Sequence, residues 1–496
     1  MIHSKEVFFY LRIGVFFLFI FMGIYGLCFH EFWRDEVRAL SIAIQAESVF
    51  DLTHLLKNEG HPTLWYALLN VFYKMTGSTS VLPILSIVFA SGIMYLLLFK
   101  SPFPLLISIC IGFGFWGLYS NGINCRNYGI GAFLLLLFTH IRKSQPNKIY
   151  LQTLFLVLAM QTNMYMAMMS AFMGIIVFTD FSNTQIRNKS IFALTLLGVS
   201  FLFAFYTTLP DSQSTVVSEM DISHSRISKI WDVGYGFNGF IYNWFPYKHG
   251  FLTWILGLSL LPFIRVKKTL FVLIFSMVFM TFFSLCVRDN YLHHQGMWLF
   301  FLLSLLWLHY KQIIDVLKSK TYFRYLYGIG CLAILFILIN NFHRGMKLYF
   351  DDITQSKSDS KNFATWLHQN SSENEIWIAE PDYIMEPVMY YWQHPFYIVR
   401  EKKFNTYVHF TKANDYLLDL SRILEVSDSF HSSGKSTLII LEHKVNPNDS
   451  FYKYSMKRFN LDSTAIKKLS NNYTLLDSFI DNYYTDEHYY VYRKKS

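Results

Sequence analysis

VFFYLRIGVFFLFIFMGIYGLCFHEFWRDE, residues 7–36, decides what kind of protein this is. Arg12 is the only charge between Val7 and Phe29. About 20 mostly apolar residues suffice to carry a helix across a bilayer. The run then stops abruptly on Arg34-Asp35-Glu36. Lys5 and Arg12 ahead of an apolar core imitate a secretion signal. The run has no small-residue cleavage site, however, and more apolar segments follow, so it reads as a retained first span.

The whole composition agrees. Of 496 residues 53% are hydrophobic and 16% charged, against about 25% charged in a soluble domain. That excludes a disordered chain, a collagen-like chain and a coiled coil. The 49 Phe, 33 Tyr and 11 Trp suit lipid-facing spans and aromatic belts. Further apolar runs fall at 81–99, 102–122, 127–141, 149–162, 164–179, 191–209, 251–264, 269–287, 296–309 and 325–342. With the first they make roughly eleven candidate spans of a polytopic α-helical membrane protein. The five cysteines show neither a disulfide framework nor zinc-type spacing.

The net charge of +9 points to basic cytoplasmic loops rather than to nucleic acid. With the N-terminus in the cytoplasm, Lys100, Arg142, Lys143, Lys148, Arg187, Lys189, Arg265, Lys267, Lys268, Lys311, Lys318, Lys320 and Arg324 all fall inside. Counting 62–73 as a span would invert every later loop. That stretch therefore reads as a helix on the outer membrane surface. The exterior then comprises the loops 30–80 and 210–249 and the tail 344–496. The expected division is a membrane domain, 1–343, and an exterior α/β domain, 344–496. In the tail, 376–379, 396–400, 437–442, 473–479 and 488–495 read as strands. Helices are expected over 358–370, 384–392, 412–427 and 455–470.

Three polar constellations share the exterior face. The first is HEFWRDE with the later turn EGHP, giving Asp35, Glu36, Glu59 and His61 in one loop. Asp35 and Glu36 are adjacent and point about 100° apart on a helix, so different roles are expected. The second is NGINCRNYG, 121–129, with Arg126 and Tyr128. An arginine at that depth is costly unless paired, and its planar fork suits a phosphate. The third is CVRDNYLHHQGMW, 286–298, with Arg288, His293 and His294. Adjacent histidines on a helix diverge, which disfavours one shared metal. Each feature has a plainer reading as an interfacial anchor or belt residue, as do Trp231, Trp244 and Tyr247 in the loop 210–249. Together they fit a lipid with a phosphate head group, a carboxylate to deprotonate an acceptor hydroxyl and arginines to hold the leaving phosphate.

WRDEVRALSIA followed by EGHPTLWYALL resembles the first exterior loop of bacterial GT-C glycosyltransferases. The similarity is to the broad family 39-like set, related to protein mannosyltransferases and the lipid A aminoarabinose transferases. CRNYG, RDNYLHHQG and the tail segment EPDYIMEPVMYYW resemble further parts of that pattern. Thr63 replaces the second proline of the family's HPP, and Arg126 is followed by Asn127-Tyr128 where some relatives carry an acid.

The resemblance implies a multi-pass protein of the bacterial cytoplasmic (inner) membrane. It would move a sugar from a polyprenyl-phosphate donor to the hydroxyl of a glycan, lipid or protein acceptor. Asp35 would be the base, with Glu36 the second catalytic candidate. Arg126 and Arg288 would hold the lipid phosphate, assisted by His293 or His294. Glu59, His61 and Tyr128 would line or orient the site. A divalent metal would be optional. The competing expectations are a lipid-linked glycan transporter, which needs polar groups near the membrane midplane, and a ligase or polymerase of the O-antigen type. A sensor whose tail binds a ligand is a further alternative.

Overall fold

The computed structural model describes residues 2–57, 59–179, 184–209, 252–286, 292–372, 374–409, 411, 416–454, 457–482 and 487–495. Helix α1 (Ile2–Phe29) is the first apolar run. The loop after it folds into α2 (Arg34–Gln45), the single turn α3 (Leu52–Leu55) and α4 (Leu64–Thr76). The bundle continues with α5 (Val81–Tyr95), α6 (Leu105–Gly112), α7 (Tyr128–Ser144), α8 (Ile149–Met160), α9 (Met164–Phe178) and α10 (Thr184–Thr208). It closes with α11 (Leu252–Leu258), α12 (Lys267–Cys286), α13 (Leu292–Lys318) and α14 (Phe323–Thr354).

Among the described residues five helices are long and apolar enough to cross a membrane, or six if one bent pair counts as a single span. Their surfaces fit lipid. Phe17 and Phe21 on α1, Leu202 and Tyr206 on α10 and Leu332 on α14 are all exposed, an arrangement that hydrocarbon tolerates and water does not. Several expected runs are shorter as helices. α8 stops at Met160 and a separate short helix, α9, starts at Met164. The run 251–264 is helical only to Leu258, ahead of a 3-10 turn containing Pro262, which lacks an N–H for continuing a helix.

The bent pair is α6 with a π-helical segment, Phe115–Ile123, at 42°. A break inside a bundle needs its backbone groups satisfied. Asn341 of α14 does this, accepting from Trp116 N (3.0 Å) and donating to Cys110 O (3.1 Å). A Cβ on Gly345 would run into the backbone of Gly114 and Phe115, so glycine lets α14 seat against the break.

α14 runs on past the boundary expected at 343. The tail follows it with α15 (Ser360–Asn370), β1 (Ile376–Glu380), a 3-10 turn (Asp382–Met385) and α16 (Val388–Tyr391). Then come β2 (Phe396–Ile398), β3 (Lys403–Asn405), α17 (Leu420–Ser432) and β4 (Thr437–Leu441). The last elements are β5 (Phe451–Tyr454), β6 (Lys457–Asn460), α18 (Ser463–Asn472), β7 (Tyr473–Phe479) and β8 (Tyr489–Lys494). The main sheet has the order β1-β4-β8-β7, parallel between β1 and β4 and antiparallel elsewhere. Along β1, Trp377 and Ala379 pack on one face with Phe363 and Leu367 of α15. Ile376 and Ile378 pack on the other with Ile423 and Leu424 of α17, as period-two alternation requires.

Three tail helices need correction. The one expected at 384–392 is a 3-10 turn and a separate short helix, divided at Glu386-Pro387. The one at 412–427 begins only at Leu420. Part of 455–470 is strand β6, paired with β5, and α18 begins after Asp462, whose side chain accepts from Ala465 N at 2.7 Å, a capping bond.

Candidate functional site

Trp33 is the extended residue that precedes α2, and it lets the chain turn off the end of α1. Asp35 and Glu36 fall in the first turn of α2, where the helix dipole favours negative charge. The 100° between them separates their surroundings. The Asp35 side chain is 36% exposed and that of Glu36 is 0% exposed.

Glu36 is held on every side. It accepts from Trp33 Nε1 (2.9 Å) and Lys357 Nζ (3.2 Å), and its Oε2 lies 2.8 Å from His30 Nε2. His30 Nδ1 lies 2.5 Å from Asp352 Oδ2. A neutral imidazole has one N–H and cannot donate to two carboxylates, so this ring is the cation. Burial pulls its pKa down, but Glu36 and Asp352 outweigh that and Lys357, and the net shift is upward. For Glu36, burial works to raise the carboxyl, and Lys357 and then His30 bring it below the usual range. The quartet carries two positive and two negative charges and excludes water. Of the roles open to Glu36, holding the loop is the one this packing serves.

A second buried knot fixes the rest of the loop. Arg38 binds Glu59 with both arms, Nε to Oε2 at 2.8 Å and Nη2 to Oε1 at 2.6 Å. Its Nη1 donates to Glu386 Oε1 (2.7 Å) and Val408 O (3.1 Å) in the tail. Gly60, at φ +68°, makes the turn that brings Glu59 back, a backbone region glycine enters at no steric cost. Glu59 thus meets Arg38 rather than Asp35, and His61 sits partly exposed at the head of α4.

Asp35 faces the next hairpin. Arg126 Nη1 is 3.3 Å from Asp35 Oδ2. The guanidinium lies 5.5 Å over the ring of Tyr128. Tyr128 in turn packs on His293 (4.9 Å between centroids) and His294 (5.8 Å), and His294 stacks on Tyr165 at 4.1 Å. Burial disfavours charge on Arg126, but Tyr128 and then Asp35 and Glu36 more than restore it. Lys357 ties the two halves together, since it also donates to Asn124 Oδ1 (2.8 Å), two residues before Arg126.

The tail completes the enclosure. Tyr391 accepts from Phe32 N (3.0 Å), and Ser360 donates to Phe32 O (3.1 Å). Glu487 accepts from Arg34 N (2.8 Å) and from Ser358 Oγ (2.6 Å).

Asp35, Arg126, Tyr128, His293 and His294 therefore form one continuous patch. Glu36 and Glu59 belong to the scaffold behind it. Arg288 lies outside the described residues, as does the aromatic loop 210–249. Sequence reasoning missed His30, Arg38, Asp352, Lys357 and Glu386. His30 and Arg38 stand inside the quoted motif and carried a usable signal; the other three lie more than 300 residues away from it. Among the described residues no group of three or more His, Cys, Asp or Glu side chains is arranged to hold a metal ion. Chemically, the patch offers a partly open carboxylate beside a partly buried, charged guanidinium, walled by aromatic and imidazole rings. No protein-family model matches the chain, and no curated protein matches it.

Proposed function

We propose that the chain is a membrane glycosyltransferase of the GT-C type, with Asp35 as general base. The carrying observation is the Asp35–Arg126 pair at 3.3 Å, its carboxylate 36% exposed, beside a neighbouring carboxylate with no exposure. In this reading Asp35 takes the proton of the acceptor hydroxyl, and the oxygen attacks the anomeric carbon. The bond from that carbon to the polyprenyl phosphate breaks on the opposite side, with inversion. The electron pair leaves on the phosphate, where Arg126 stabilises it as a developing anion. His293 and Tyr128 border the same space. A base contributes typically 10²–10⁴-fold.

The reading includes the topology. The patch lies on the exterior side of a bacterial cytoplasmic membrane that the chain crosses roughly eleven times, with the N-terminus inside. One feature of the helix geometry supports a two-sided arrangement. Tyr128 and His293 lie at the starts of α7 and α13, and Lys143, near the other end of α7, donates to Leu308 O four turns along α13, at 3.0 Å.

The test compares cells carrying the wild type with an Asp35→Asn strain by mass spectrometry of lipid-linked and surface glycans. A sugar-sized mass missing from one glycan, with the polyprenyl-phosphate donor accumulating, is expected. Unchanged glycans with folded protein and an active pathway refute it.

A further inference from the structure

At the end of the bundle away from Asp35 lies a cavity of about 650 Å³. Counted along α7 from Tyr128 to Lys143 the separation is about 22 Å, and along α13 from His293 to Lys311 about 27 Å. The cavity is therefore a second site and not an extension of the first. Its volume falls within the roughly 300–1,000 Å³ of ligand pockets.

The lining is basic. Lys143, Arg265 and Lys311 reach it from α7, from the turn before α12 and from α13, with His309 and the single carboxylate Asp315. Each of the three cations comes from a different element, so the cluster is a product of the fold and not of a local charge run. Among the described residues none of the three is within ion-pair distance of a carboxylate, although buried or exposed pairs bind many of the chain's other arginines and lysines. Lys143 Nζ donates to Leu308 O (3.0 Å), which fixes the ammonium at the cavity wall. The Arg265 guanidinium lies over the Phe323 ring at 5.2 Å, which leaves its N–H edge available. Ser319 and Thr321 also line the space, with their hydroxyls bonded to each other (2.7 Å) and Ser319 Oγ donating to Val316 O (2.7 Å).

Three cations from different elements converging on one open cavity, with Asp315 its single carboxylate, call for an anion. A guanidinium with ammonium groups matches a phosphate better than a carboxylate, because a phosphate presents more acceptor oxygens to more directions. We propose that this cavity binds a phosphate-bearing ligand, and its position at a helix-end boundary favours the head group of an anionic lipid. Basic pockets between membrane helices are a recognised setting for such head groups. The site owes nothing to sugar transfer and stands whether or not Asp35 is a base.

The test uses the full chain in lipid discs of phosphatidylcholine, with phosphatidylglycerol added in one arm and inorganic phosphate in the other. Retained lipid is read by native mass spectrometry, and phosphate binding by the thermal midpoint. The wild type is expected to prefer phosphatidylglycerol by about tenfold or more, and Arg265→Gln and Lys311→Gln each to lose about tenfold, the worth of one charge-assisted hydrogen bond. Lys311→Arg, which keeps the charge, retains the preference and controls for folding. If inorganic phosphate alone raises the midpoint of the wild type in neutral discs, and not of Lys311→Gln, the phosphate comes from a soluble ligand and the site still stands. Equal retention of the two lipids with no response to phosphate overturns the proposal, as does a preference that survives when Arg265→Gln and Lys311→Gln are combined.

Discussion

The two ends of the helical bundle handle charge in opposite ways. At the α2 end, His30, Glu36, Asp352 and Lys357 form a neutral buried quartet, and Arg38 pairs with both Glu59 and Glu386. At the other end Lys143, Arg265 and Lys311 stand exposed around an open volume without a carboxylate partner among the described residues. Buried charge must be paired or it shifts its protonation; exposed charge is solvated and costs little. The first end is consequently built for rigidity, and the second is free to recruit an anion from outside. Asp35 is the exception at the first end: a partly open carboxylate mounted on a segment cross-linked by Glu36 and Arg38.

Breaking the quartet should give the largest change in stability. Lys357→Met leaves Glu36 and Asp352 with one cation between them, and removing one partner of a buried pair costs about 3–5 kcal/mol. The check is the thermal or denaturant midpoint in detergent. Because Lys357 also bonds Asn124, the same variant should loosen the Asp35–Arg126 spacing and lower activity per folded molecule.

Arg126→Ala comes next. It removes a charged donor from the proposed phosphate position, a loss of about 1.5–3 kcal/mol in donor binding, with little effect on the quartet. Titration with a polyprenyl-phosphate sugar measures it, and unchanged affinity sinks the phosphate assignment.

The pH dependence sharpens the contrast further. Glu31, next to the quartet, is pushed up to about 7, chiefly by burial. Its folded pKa lies above its unfolded value, so the folded state keeps a proton that the unfolded state loses. Stability should therefore fall as pH rises from about 4.5 to about 7, by at most one proton's slope, about 1.4 kcal/mol per pH unit, and level off above. Glu31→Gln should remove that slope, which midpoints recorded across the range would reveal. The smallest effect is expected at the far end: Lys311→Gln should move the midpoint by about 0.5 kcal/mol or less.

These expectations also mark what the sequence could say. The apolar runs announced the helices because a bilayer demands long uncharged stretches, and β1, β2, β4, β7 and β8 announced themselves as short runs of β-branched and aromatic residues. Asp35, Arg126 and His293 could be grouped because each sits at the end of an apolar run, and the structure brings Asp35 to Arg126 and Tyr128 to His293. Lys357 and Asp352 were illegible because an ion pair across more than 300 residues leaves no local pattern. The separate duties of Asp35 and Glu36 were legible only as an angle. Which of the two faces the interior depends on how the tail docks over α2. Strand β6 fell inside the helix expected over 455–470, and Lys457–Asn460 instead pairs with Phe451–Tyr454 as a hairpin.

The most direct test sets the two neighbouring carboxylates against each other. Purified Asp35→Asn and Glu36→Gln would be compared for thermal midpoint and for sugar transfer per folded molecule. Asp35→Asn is expected to keep its midpoint and lose about 10²–10⁴-fold in transfer, and Glu36→Gln to lose midpoint and keep most of the transfer that its folded fraction allows. Full transfer by Asp35→Asn, or a Glu36→Gln protein that is stable and inactive, would contradict the account.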